Sequence, residues 1–116
     1  MDEPIILDWG NAVHAVNEYL RNGLYAPAGH HFLDLHGRVR LIFRESAYDE
    51  IFGVCIRIDG NDPDQRRRAS WEEEVDEFGH LAARLSYQAI EEKLQALYAE
   101  ALGKEPGHKL ERITPQ

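Results

Sequence analysis

Cysteine is almost missing from this chain. Cys55 is the one thiol in 116 residues, which excludes an internal disulfide and a disulfide-stapled scaffold of the secreted kind. Cys55 lies in the apolar run IFGVCIRID and reads as a small buried core residue. Long apolar runs are also missing. No stretch approaches the ~20 residues of a membrane-spanning helix, and the opening MDEPIILDWG is acidic with too short an apolar run for a signal peptide. The expected location is therefore cytoplasmic. Basic residues are scarce: 13 Lys and Arg stand against 21 Asp and Glu, a formal net charge of -8. Such a chain repels phosphate backbones, so direct nucleic-acid contact is not expected. Basic protein surfaces are the more natural partners.

Recognisable catalytic patterns are absent as well. Ser46, Ser70 and Ser86 have no nucleophile-elbow context. Gly53 and Gly60 make no phosphate-cradling loop. A zinc site needs three or four converging ligands. His30, Asp34 and His36 would be strung out along one strand face, with His31 on the other, which reads as a polar hairpin face. Glu77 and His80 form a Glu-x-x-His pair, but carboxylate-bridged two-metal sites use that pair twice, on different helices, and the chain has it once. The expectation is a protein that is not an enzyme, with no metal and no cofactor.

What is present is material for one compact domain. A hydrophobic fraction of 43% over this length is enough to bury a core without staples. Residues 1–102 read as a single globular domain and 103–116 as a loosely ordered tail. Asp8 is placed to cap a helix whose apolar positions Trp9, Val13, Val16 and Leu20 have helical spacing, and Asn22-Gly23 ends it. HFLDLHGRVRLIF alternates like a hairpin. A connection of His36, Gly37 and Arg38 would set Leu35 opposite Val39, Leu33 opposite Leu41 and Asp34 opposite Arg40, which keeps the apolar residues on one face. IFGVCIRID supplies a third strand with Phe52, Val54, Ile56 and Ile58 on one side. GNDPDQRRRA is a loop by its turn residues. Ser70 and Glu73 match a capping box opening a final helix that runs to Leu102. The expected fold is α+β: a three-stranded antiparallel sheet, with a short fourth N-terminal strand at residues 4–7 as an option, packed by an N-terminal helix and a long C-terminal helix.

That last helix carries an irregularity. Trp71, Val75, Phe78, Ala82, Leu85 and Ala89 make one apolar stripe, and Ile90, Leu94, Leu97 and Ala101 make another about a third of a turn away. Either the helix breaks near Ser86-Tyr87 or its far half packs against something else. Leu94, Leu97 and Tyr98 would then be available as a dimer contact. The helix also concentrates acid. Residues 71–102 hold eight carboxylates against Arg84 and Lys93. Carboxylates in a first turn complement the helix dipole, but Asp76 and Glu77 lie beyond that turn. Glu73, Asp76, Glu77, His80, Arg84, Tyr87 and Glu91 share the polar side, and a tyrosine there adds contact area at low entropic cost. These are the expected partner-binding residues. Arg66, Arg67 and Arg68 could bind an anion, balance the acids that follow, or simply be solvated.

Taken together, MDEPIILDWGNAVHAVNEYL, FLDLHGRVRLIF and SWEEEVDEFG resemble a small phage-encoded anti-CRISPR protein acting on type I-C systems. The resemblance carries no residue roles with it. It implies stoichiometric, non-enzymatic binding to a CRISPR-Cas effector in a bacterial host cell, either the DNA-surveillance complex or the helicase-nuclease that it recruits. Both present basic nucleic-acid-binding surfaces that an acidic helix could occupy. The alternative is a small structural or assembly protein of a phage or toxin system that self-associates through its C-terminal helix.

Overall fold

The computed structural model describes Leu7 and residues 9–26, 31–44, 51–61, 65–75 and 78–104, the side chains of Phe78 and Gly79 excepted. Helix α1, Trp9–Arg21, leads into the strands β1 (Phe32–His36), β2 (Val39–Phe43), β3 (Ile51–Ile58) and β4 (Arg67–Glu74), and these into the helices α2 (Phe78–Arg84) and α3 (Tyr87–Leu102). The strands form one antiparallel sheet in the order β1-β2-β3-β4. The α+β class is as expected. The strand count is not, because the sheet has four strands rather than three. The optional N-terminal strand and the Asp8 cap fall on residues 4–6 and 8, outside the described ones.

The first helix follows its sequence signals. Ala12, Val13, Ala15, Val16, Tyr19 and Leu20 are its buried face. Gly23 has a positive φ of 75° and Leu24 one of 68°, and the Leu24 amide returns to the Tyr19 carbonyl at 3.0 Å. That is a Schellman-type stop, with fully buried Leu24 closing over the last turn. In the hairpin, Leu33 pairs with Leu41 and Asp34 with Arg40, as burial requires. The ladder ends on His36 opposite Val39, with an irregularity between Asp34 and His36. The turn is therefore Gly37-Arg38 alone, and Leu35 is the extra residue of a bulge instead of Val39's partner. Gly37 takes a φ of +53° there.

The main correction concerns Arg67–Glu74. This stretch is a strand and not the start of a helix, with Trp71 opposite Val54 and Ala69 opposite Ile56. Ser70 lies opposite Cys55 and caps nothing, so the capping box with Glu73 does not form. The strand wins because Ala69 and Trp71 alternate inward onto the open edge of β3. Beyond it, the anticipated helix break is real. Leu85 and Ser86 separate α2 from α3. Ser86 is the N-cap of α3, its Oγ accepting the Ala89 amide at 3.1 Å. Ser86→Ala is expected to lower stability by about 1 kcal/mol, read as a lower urea midpoint with an unchanged slope.

All three helices and the inward sheet residues share one core. Val39, Leu41, Phe43, Phe52, Val54, Ile56 and Ile58 line it from β2 and β3. Tyr19 sits at its centre against Phe43 and Phe52, at ring separations of 5.1 and 5.5 Å. Its hydroxyl donates to the Arg44 carbonyl and accepts the Gly53 amide at 3.2 Å, joining α1 to the ends of β2 and β3. Phe52 meets Trp71 edge-on at 4.7 Å. Cys55 is not in this core. It is half-buried and alternates onto the other sheet face, on which no described element packs.

Candidate functional site

Each expected partner-binding residue now has a place or lies outside the described residues. Asp76 and Glu77 are among the latter. Glu73 is on β4, on the helix-covered side of the sheet, and is already engaged. Its carboxylate accepts the Trp71 indole Nε1 at 3.0 Å and an Arg84 guanidinium nitrogen at 2.9 Å. Arg84, on α2, thereby ties that helix to the last strand. His80 is exposed on α2. Tyr87 and Glu91 lie together on α3 and line a groove with Gly10 and Val13 of α1, whereas Glu73 and Arg84 join β4 to α2. The single acidic helical ridge through Glu73 and Glu91 is thus broken into two local groups.

Burial on its own pushes the Glu73 carboxyl pKa up. The hydrogen bonds from Trp71 and Arg84, with the charges of Arg84 and Lys93, outweigh this and hold it below the ordinary value. A depressed folded-state pKa contributes stability above the unfolded-state value, and that stability is lost as pH falls through the folded one. Glu73→Gln should therefore be less stable than wild type at neutral pH. The gap should close as pH drops below about 4.3, as followed by urea midpoints across that range.

Leu94 and Leu97 are 0% and 3% exposed in the core. They face the chain's own sheet and α1, so they are not available for the anticipated dimer contact. Tyr98 is partly buried and packs edge-to-face with Trp9 at 6.0 Å.

Tyr87 is 52% exposed at the mouth of a groove of about 500 Å³ between α1 and α3, lined by Gly10, Val13, Tyr87, Gln88, Glu91, Glu92 and Gln95. Gly10 leaves room on the α1 wall, and buried Val13 makes an apolar floor. His14 Nδ1 and Asn17 Nδ2 both lie 3.4 Å from the Tyr87 hydroxyl, long contacts that hold the ring loosely. His14 Nε2 reaches Glu18 at 3.0 Å. Of the groove's residues, only Tyr87 and Glu91 were singled out from sequence. Glu92 carries the next carboxylate on the same helix, and its neighbour Lys93 points elsewhere, 5.6 Å from the Trp71 ring centre.

The carboxylates of the chain divide sharply by partner. Asp34 has Arg40 at 3.0 Å, Asp59 has Arg57 at 2.9 Å, Glu72 has Arg44 at 3.4 Å, Glu73 has Arg84 at 2.9 Å and Glu100 has Lys104 at 3.7 Å. Glu91 and Glu92 accept only from the neutral amides of Gln95 and Gln88, at 3.0 and 3.2 Å. Glu18 pairs, among the described residues, with His14 alone. Among the described residues, then, the acids without a lysine or arginine partner are Glu18, Glu91, Glu92 and Glu74, and Glu91 and Glu92 line the groove. An apolar floor, an exposed phenol and uncompensated carboxylates suit the stem and head of a basic side chain.

Among the described residues no group of three His, Cys, Asp or Glu could hold a metal ion, and no helix is long and apolar enough to cross a membrane. No protein-family model, curated protein or solved structure matches the chain.

Proposed function

We propose that this chain is a non-enzymatic inhibitor. It binds a type I CRISPR-Cas effector, surveillance complex or helicase-nuclease, and blocks interference in the host cytoplasm. Its contact is the α1/α3 groove, and its partner surface is basic. The observation that carries the binding mode is the placing of Glu91 and Glu92, which have no lysine or arginine partner among the described residues, beside the exposed Tyr87 in one groove. Among the described residues most other acids face a lysine or arginine, whereas here an incoming cation meets carboxylates that need not first break an internal ion pair. Tyr87 supplies an aromatic anchor of the type that dominates interface energetics. The CRISPR identity of the partner rests on the sequence resemblance.

The test is a pull-down of purified protein against the reconstituted surveillance complex and the helicase-nuclease, separately and across a salt series. Binding to one of them that weakens as salt rises is the expected result. No binding to either overturns the inhibitor reading.

A further inference from the structure

The face of the sheet turned away from the helices is organised in rows. The registers place Asp34, Arg40, Arg57 and Arg68 side by side across β1 to β4, and Phe32, Ile42, Cys55 and Ser70 in the next row on the same face. Neighbouring strands are ~4.8 Å apart, so the three arginines span roughly 10 Å, and the two rows lie ~7 Å apart along the strands. Phe32 is 43% exposed, with the Arg40 guanidinium 4.5 Å from its ring centre. Arg40 is held by Asp34 at 3.0 Å. Asp59 holds Arg57 at 2.9 Å and Arg66 at 3.6 Å. The Asp59 amide bonds to the carbonyl of Arg38 at 2.9 Å, which brings the exposed β1–β2 turn to the same end. Arg68 is exposed, and its guanidinium has no partner among the described residues. Its neighbour Arg67 is used otherwise, donating to the Leu102 carbonyl at the end of α3 at 3.1 Å.

We propose that this face binds a single-stranded nucleic acid. Its phosphates would lie along the unpaired Arg68 and the half-exposed Arg66, with Arg40, already bound to Asp34, at the far end of the row, and its bases on the row of Phe32, Ile42 and Cys55. Arginine matches phosphate with a planar fork of donors. A basic track beside an exposed aromatic is the general recipe for binding single strands without sequence preference. The net charge of -8 argues against nucleic-acid contact only if charge is evenly spread. Here Arg38, Arg40, Arg57, Arg66 and Arg68 stand with Asp34 and Asp59, so these seven side chains sum to +3 within a chain of net -8. The unpaired carboxylates of the α1/α3 groove are on the helical side. An acidic protein segment would use the arginines but gain little from the neighbouring apolar row, and that distinguishes the two ligands.

Fluorescence anisotropy of labelled oligothymidylate and oligouridylate of about 10 nucleotides, titrated with the intact protein from low salt upward, tests this. Two to three phosphate contacts give a slope of log affinity against log salt of about -1.4 to -2.1. Arg68→Ala should weaken binding and make the slope shallower by about 0.7. Phe32→Ala should weaken it on the order of 10-fold with the slope unchanged. Circular dichroism would establish that both variants are folded. Absence of saturable binding at low salt overturns the proposal. So does an affinity that neither substitution changes. Displacement by polyglutamate as effective as by unlabelled oligonucleotide, with Phe32→Ala neutral, overturns it in favour of an acidic protein ligand.

Discussion

Leu94→Ala is expected to cost about 2–5 kcal/mol of stability, with a midpoint of urea unfolding that does not move with protein concentration. Leu94 is 0% exposed and belongs to the single core shared by the sheet and the helices, so truncation leaves a cavity that surrounding side chains refill only in part. For a domain of this size such a loss is a large share of total stability. The concentration series is what gives the experiment its meaning. If Leu94 and Leu97 joined two copies, dilution alone would destabilise the wild type and Leu94→Ala would lower the association constant. If they are core, sedimentation of wild type and variant is alike under native conditions, and only unfolding changes. A concentration-dependent midpoint in the wild type would contradict the packing seen here and restore the assembly reading.

Much of the fold was legible in the sequence where local signals and burial agree. The helix ending at Asn22-Gly23, the pairing of Leu33 with Leu41, the inward face of β3 and the discontinuity at Ser86 could all be read from spacing and turn chemistry. The shift between the two apolar stripes of the last segment marked a real change of element at Leu85-Ser86. What misled was SWEEE. A serine followed three residues later by glutamate, within a run of strong helix formers, reads as a helix start. The period-two alternation of β4 is there in Ala69 and Trp71, but its next inward position is Glu73, which breaks the apolar pattern. The strand tolerates a carboxylate there because the Trp71 indole and Arg84 satisfy it. Those partners come from its own strand and from a helix that follows, and Arg84's approach is a tertiary event that no local window contains. For the same reason the acidic ridge through Glu73, Tyr87 and Glu91 was only half readable. Tyr87 and Glu91 do share a surface, but its other wall is Gly10 and Val13 of α1, and sequence periodicity within α3 says nothing of which helix lies beside it. The arginine row needed the register of four strands.

Replacing Glu91 and Glu92 together by lysine should abolish the proposed partner binding, an effect of about 100-fold or more, or ~2.7 kcal/mol. The expectation follows from the state of these carboxylates. Among the described residues each accepts one hydrogen bond from a neutral amide and has no lysine or arginine partner, which leaves its field available to a ligand. Reversal replaces attraction by repulsion at the same point, at a cost greater than deletion. Glu91→Gln with Glu92→Gln should accordingly give a smaller loss, mostly in association rate and most evident at low salt. Neither pair of substitutions should disturb the fold, since surface changes of this kind typically move stability within ±0.5 kcal/mol. Glu100→Lys is the control. It changes charge by as much on the same helix, but its carboxylate already faces Lys104 at 3.7 Å and lies outside the groove, so binding should be nearly unchanged. Tyr87→Ala separates charge from contact: loss of the aromatic anchor should raise the dissociation rate with little change in salt dependence. If the double lysine variant still captures the effector at wild-type affinity while Glu100→Lys does not, the acidic contact lies towards the C-terminal end of α3 and the groove is not the interface.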